Sequence, residues 1–166
     1  MVNPVRLTSK LLVSPQLQIE DLAALNVLGI RTIVCNRPDG EAPGQPTAQA
    51  LSQAARQLDM TFVYLPVTPK MQIRDGDPQQ LSDALDSAGG EVLAYCRTGK
   101  RSAAMWALSQ RGKLPANEIV RTAAQSGFDI SNLGDQLTLD VAPAGQPEMA
   151  TPTRKRGFWS RIFGAR

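Results

Sequence analysis

Residues 91–106 read Glu91-Val-Leu-Ala-Tyr95-Cys96-Arg97-Thr98-Gly99-Lys100-Arg101-Ser102-Ala-Ala-Met-Trp106. The pattern is an apolar strand, a glycine-containing turn and the start of a helix, with a cysteine where the strand stops. Backbone N–H groups of residues 97 to 102 can curl around a tetrahedral oxyanion. The N-terminus of the following helix adds partial positive charge, and Arg97, Lys100 and Arg101 add full charges. A thiol in that field should ionise well below the roughly 8.5 of a free cysteine. A thiolate at the floor of an anion cradle can attack phosphorus or carry sulfur. The competing assignment is a buried strand cysteine that merely packs, with Gly99 as an ordinary turn residue.

What else the chain contains narrows the chemistry. Its 166 residues hold no histidine and two cysteines. Without histidine there is no Cys-His dyad, no Ser-His-Asp triad and no His-ligated zinc or haem. Two cysteines do not make a disulfide scaffold. No metal or cofactor is expected. The length predicts one domain, and a hydrophobic content of 42% suffices for a core of Leu, Val, Ile and Ala. A formal charge of +3 is too mild to argue for nucleic acid, and none is expected as a partner. The N-terminus lacks an apolar signal region, and no stretch approaches the roughly 20 apolar residues of a spanning helix. These features predict a cytoplasmic, reducing compartment.

The elements that must position the cysteine follow from hydrophobic period and turn chemistry. Short strands are predicted at 11–13, 31–35, 61–67 and 92–95. Helices are predicted at 17–28, 47–58, 79–88, 102–111 and 116–125. Strands alternating with helices of about ten residues imply a three-layer α/β fold. Its four- to five-stranded, mostly parallel sheet is covered by helices on both faces. Ligands on such sheets bind beyond the carboxyl ends of the strands. The turns at 36–41 and 68–77 should therefore open onto the crevice that holds Cys96.

The loop Tyr95-Cys96-Arg97-Thr98-Gly99-Lys100-Arg101-Ser102 resembles the active-site loop of the tyrosine and dual-specificity phosphatase superfamily. More narrowly, the chain resembles the bacterial beta-lactamase hydrolase-like phosphatase family. Gly29-Ile-Arg-Thr-Ile-Val, the turn Asn36-Arg37-Pro38-Asp39-Gly40-Glu41, Tyr64-Leu-Pro-Val, the cysteine loop and Gly127-Phe-Asp129 fall in that family's order. The resemblance spans roughly residues 3 to 135 and implies a dual-specificity-phosphatase-like fold. One departure matters. The superfamily places its arginine after five intervening residues, whereas Arg101 follows Cys96 after four and Ser102 takes the arginine's place. A loop of this length is similar to that of rhodaneses, which carry sulfur as a persulfide. The substrate is accordingly a phosphate ester, with a sulfane-sulfur compound as the alternative.

The resemblance implies a covalent route. Substrate phosphate rests on the N–H groups of Arg97, Thr98, Gly99, Lys100, Arg101 and Ser102, and Arg101 clamps two of its oxygens. Cys96 attacks to form phosphocysteine, which water hydrolyses. Ser102 either assists the thiolate or caps the helix. The general acid is an aspartate on a loop before the cysteine in the superfamily. Asp75 and Asp77 stand in one such loop and Asp39 in the other, with helix capping and turn formation as their structural roles. Arg37 either adds to anion binding or pairs with Glu41. Cys35 is expected as a packed core thiol, with a protective disulfide to Cys96 as the alternative.

Three segments are expected: a catalytic domain over 1–140, a Pro/Ala/Gly-rich disordered linker over 141–153, and a basic tail over 154–166. In the tail, Phe158, Trp159, Ile162 and Phe163 share one side of a helix amid five cations. That composition suits peripheral contact with an anionic membrane at its inner face. Three functions therefore compete: a thiol phosphatase, a persulfide-carrying sulfurtransferase, and a non-catalytic anion-binding module tethered to membrane.

Overall fold

A computed structural model describes residues 2–138. The expected linker and tail, 141–153 and 154–166, lie outside the described residues. Among the described residues no helix is long and apolar enough to cross a membrane.

Five strands form one sheet: β1 (Val5–Arg6), β2 (Leu11–Ser14), β3 (Ile30–Cys35), β4 (Thr61–Tyr64) and β5 (Glu91–Tyr95). Their spatial order is β1-β2-β5-β3-β4. All pairings are parallel except β1 with β2, which are antiparallel. β1 is an element that the hydrophobic pattern did not reveal. It exists because a turn at Thr8 folds the chain back: the Leu7 N–H donates to the Leu11 carbonyl at 2.9 Å, and Thr8 Oγ1 accepts from the Leu11 N–H at 3.1 Å. β5 lies between β2 and β3, so the segment carrying Cys96 is the most enclosed of the sheet.

Side-chain alternation along the strands divides the core in two. Ile33, Cys35, Leu93 and Tyr95 pack against Leu22 and Leu25 of α1 (Asp21–Val27) and Leu51 and Ala55 of α2 (Ala48–Gln57). Val34, Val92 and Ala94 point to the other face. There they meet α3 (Asp77–Ser87), α4 (Lys100–Ser109), α5 (Ala116–Gln125) and α6 (Gly134–Thr138). The three-layer arrangement expected from the strand–helix alternation is the observed one.

Element ends shift for local reasons. The first helix begins at Asp21 rather than residue 17, because Asp21 Oδ2 accepts from the Gln18 N–H at 3.0 Å and closes a turn there. β4 stops at Tyr64, yet the chain keeps its course: Leu65 and Val67 still donate to the carbonyls of Cys35 and Asn36, at 2.9 and 3.1 Å. Pro66, between them, has no N–H to continue a ladder. The short helix α6 follows a 3₁₀ turn at Ser131–Leu133, and neither has enough periodic length to be read from sequence.

α4 is the helix that carries the cradle, and it is buried from Arg101 through Ala107. A helix enclosed on all sides lacks a polar face, and its amphipathic signal is correspondingly weak. Ala103, Ala104 and Ala107, each fully buried, keep it slender enough to fit between the sheet and its neighbouring helices. Replacing Ala104 by leucine should overpack this layer and cost about 1–3 kcal/mol. The measurement is a urea unfolding midpoint; an unchanged midpoint would mean that the layer has slack.

Candidate active site

The cradle is built where β5 ends. The Cys96 N–H donates to the Ser14 carbonyl at 3.4 Å, which ties the cysteine to the end of β2. Cys96 is fully buried, and its Sγ accepts from the Gly99 N–H at 3.1 Å. The turn that makes this bond requires φ +94° at Gly99, which caps the N-terminus of α4. A side chain is also excluded there by space. A Cβ at position 99 would lie 2.9 Å from Cε1 of Phe128 and 3.0 Å from Cγ1 of Val13.

Because Gly99 turns the chain so tightly, the helix starts at Lys100. Ser102 is therefore not the cap, as one sequence reading had it, but lies inside the first turn. Its Oγ is buried without a hydrogen-bond partner among the described residues. The first-turn N–H groups of Lys100, Arg101 and Ser102 have no intrahelical acceptors and lie at the positive end of the helix dipole.

Arg101 is held more firmly than any other charged group here. Its Nη1 donates to Glu41 Oε1 at 2.6 Å and to the Val67 carbonyl at 2.7 Å, while Nη2 donates to Glu41 Oε2 at 2.8 Å. A guanidinium has five N–H donors. The three bonds leave Nε–H and one Nη2–H, a single edge that meets Cys96 here and can meet two oxygens of a substrate anion. Glu41 also accepts from Arg37 Nε at 2.9 Å. Arg37 is itself buried, and its Nη1 donates to Gln16 Oε1 at 2.8 Å. Of the two roles open for Arg37, the structure supplies the pairing with Glu41.

These charges set the protonation of the cluster. Hydrogen bonds from Arg101 and then Arg37 outweigh burial and hold the Glu41 carboxyl down at about 2. The same bond to Glu41, with the nearby Cys96 as a smaller influence, raises Arg101 above its ordinary value. Cys35 behaves as a core thiol. Burial pushes it up to about 11 despite a bond to Tyr95, and its Sγ donates to the Arg37 carbonyl at 3.3 Å. Both cysteines are free.

A cavity of about 440 Å³ opens over the cradle, lined by Pro69, Met71, Arg97, Thr98, Lys100, Arg101 and Asn132. Arg97, Thr98 and Lys100 are exposed at its rim. None of the three aspartates lines it. Asp39 Oδ1 accepts from the Ala48 N–H at 2.8 Å and caps α2. Asp77 is the first residue of α3, buried, with Oδ2 accepting from Arg74 Nε at 3.0 Å. Asp75 is exposed and lines a neighbouring cavity of about 520 Å³, which shares Met71 with the first and lies between its own loop and helices α4 and α6. Glu41 and Asn132 are site residues that sequence reasoning passed over. For Glu41 the signal was present, a carboxylate four residues after Arg37. For Asn132 there was none.

A mostly parallel sheet with a cysteine-to-arginine loop between its central strand and a buried helix defines the fold of tyrosine and dual-specificity phosphatases. A kinase-associated phosphatase, crystallised with its catalytic cysteine replaced by serine, shares that fold. Its TM-score is 0.64 at 14% identity, covering 83% of this chain and 92% of that one. Residues 5–113 match the family described as "Beta-lactamase hydrolase-like protein, phosphatase-like domain", and the chain belongs to that family. A crystal structure of a candidate phosphatase from Neisseria meningitidis is 35% identical, with a TM-score of 0.69. It covers 81% of this chain and 95% of its own. A beta-lactamase hydrolase-like protein of Agrobacterium fabrum is 30% identical over 131 residues, and one from Xylella fastidiosa is 30% identical over 128. The matched regions are 78% and 76% of this chain but 30% of each of those proteins. These relatives support phosphatase chemistry, and the short, rhodanese-length loop occurs here within a phosphatase fold. The sulfur-transfer alternative gains no support from them.

Two outcomes test this geometry. Gly99→Ala should lower stability by about 1–3 kcal/mol through backbone strain and the clash with Phe128. Thermal unfolding reads the loss, and an unaltered melting temperature would refute the tight fit. Glu41 titrates lower when folded than its ordinary 4.3 or so, so its contribution is complete above that value. It is lost as pH falls towards 2, a difference on the order of 3 kcal/mol. Urea unfolding between pH 6 and 2.5 should show this acid-dependent loss in the wild type and a smaller one in Glu41→Gln. Parallel pH profiles would contradict it.

Proposed function

We propose that this chain is a cysteine-dependent phosphatase acting on phosphoric compounds through a phosphocysteine at Cys96. The observation that carries the proposal is the Nε–Nη2 edge of Arg101, which Glu41 and Val67 leave free and which lies within hydrogen-bonding reach of Cys96. Glu41 and Val67 fix the other edge beside the Cys96 loop. An oxyanion seated on the first-turn amides of α4 can be clamped by that edge, and the clamp needs no reorganisation as charge develops. Membership of a phosphatase-like family supports the reading.

In the proposed reaction the Cys96 thiolate attacks phosphorus. A P–S bond forms, the P–O bond to the leaving group breaks, and the electron pair leaves on that oxygen. Water then attacks phosphorus, the P–S bond breaks, and the thiolate returns with release of orthophosphate. Gly99 N–H stabilises the sulfur as a nucleophile and again as a leaving group. Ser102 Oγ, buried in the first turn without a partner, is the hydroxyl available to donate to the sulfur as it departs. Arg97, Thr98 and Lys100 form the rim that admits the substrate.

Rapid quench with p-nitrophenyl phosphate should give a phosphoryl adduct on Cys96 by mass spectrometry. Cys96→Ser should lose turnover by about a thousandfold or more. A persulfide formed from thiosulfate, with no phosphoryl adduct, would replace this reading with sulfur transfer. A folded protein that binds sulfate yet forms neither adduct would be an anion-binding module.

A further inference from the structure

The mouth of the site is rich in cations and, among the described residues, has no carboxylate in its lining. Esters of ordinary alcohols need a proton delivered to the departing oxygen, a contribution of about 10²–10⁴ in rate. The three aspartates on the loops before the cysteine are engaged or face elsewhere, and Asp129, beside Lys100, has its carboxyl held below the ordinary range by hydrogen bonds from Ser131. Asp39 caps α2, Asp77 is buried against Arg74, and Asp75 faces a different cavity. Glu41, the carboxylate closest to Arg101, is tied to two arginines and held ionised down to about 2. It has no proton to give at neutral pH.

What the mouth offers instead is positive charge. Arg97 has neither ion pair nor side-chain hydrogen bond among the described residues, and it stands exposed at the rim. Lys100 stands beside it and shares its charge with Asp129. The carboxyl of Asp129 is lowered chiefly by hydrogen bonds from Ser131 and also by Lys100. Thr98 and Asn132 add polar groups to the same wall. Among the described residues no aromatic ring lines the cavity, so none of them stacks on a phenol there.

We infer that the substrate is a phosphoanhydride, whose leaving group is itself a phosphate, rather than a monoester of an alcohol. This rests on the phosphatase reading above and specifies its substrate. A departing phosphate is stable as an anion and requires no general acid. Arg97 and Lys100 are placed to hold it beside the scissile group while Arg101 clamps the phosphoryl that is transferred. Cys96 attacks the terminal phosphorus, a P–S bond forms, and the bridging P–O bond breaks. The electron pair stays on the bridging oxygen of the released phosphate, which is protonated by solvent according to its own acidity. Hydrolysis of phosphocysteine then yields orthophosphate and regenerates the thiolate. A cavity of about 440 Å³ accommodates two or three linked phosphates.

The test compares four substrates on the full chain in the presence of EDTA: p-nitrophenyl phosphate, glycerol 2-phosphate, inorganic tripolyphosphate and ATP. p-Nitrophenol leaves without a proton, so turnover of its phosphate, lost in Cys96→Ser, establishes the phosphatase reading independently. Either anhydride should then exceed glycerol 2-phosphate in kcat/KM by about a hundredfold or more. Arg97→Ala combined with Lys100→Ala should cost about tenfold more on the anhydride than on p-nitrophenyl phosphate. A preference for ATP over tripolyphosphate would place a nucleoside in the cavity; equal rates would place recognition in the phosphate chain alone. Glycerol 2-phosphate turned over as fast as tripolyphosphate would overturn the inference and leave the phosphatase reading standing. No turnover of p-nitrophenyl phosphate would remove both.

Discussion

The bond between Arg101 and Glu41 joins three otherwise separate parts of the crevice. Arg101 lies in the first turn of the buried helix α4, Glu41 ends the turn after β3, and Val67, which also accepts from Arg101, follows β4. Two ion pairs converge on one carboxylate that is 13% exposed. Desolvating such charges is costly, and it is offset here by bidentate geometry and by a second arginine. The energetic gain over an apolar cluster need not be large. The consequence is positional: a long, flexible side chain is left with one orientation and one edge beside Cys96.

The rest of the cradle has the same character. Gly99 gives the backbone a conformation that other residues resist, Phe128 and Val13 close the space above it, and Ser14 anchors Cys96 from the neighbouring strand. The nucleophile, its hydrogen-bond donor and the guanidinium are thus each fixed from a different element. A site that stabilises developing charge depends on such preorganisation, because groups already in place need not rearrange during the reaction. The cysteine-to-arginine loop is short, and α4 already begins at Lys100, within it.

Much of the fold was legible in the sequence. β3 and β5 are apolar runs ended by polar turns, and α2 and α5 carry clear apolar stripes. β1, the 3₁₀ turn and α6 were not legible, since two to five residues carry no period to detect. The helix expected from residue 17 began at Asp21, because one carboxylate captured two backbone N–H groups and turned the chain first. Leu17 kept its buried place without being helical. Tertiary contacts decided these ends, as they generally do where intrinsic propensity is weak.

For the site, the sequence by itself determined the chemistry of the parts: a thiol at a strand end, a glycine, a helix start and three cations within six residues. Those are local facts, fixed by spacing along one loop. It could not determine which charges remain available, because that depends on residues distant along the chain. Glu41 lies 60 positions before Arg101, and their contact exists because β3 and β5 are neighbours in the sheet. The same folding engages Asp39 as a cap and buries Asp77 against Arg74. Sequence placed three carboxylates near the crevice by strand order; in the structure one oxygen of Asp39 accepts from Ala48, one of Asp77 accepts from Arg74, and Asp75 lines a neighbouring cavity. A side chain's availability depends on every element packed around it, and that is not written in any one segment.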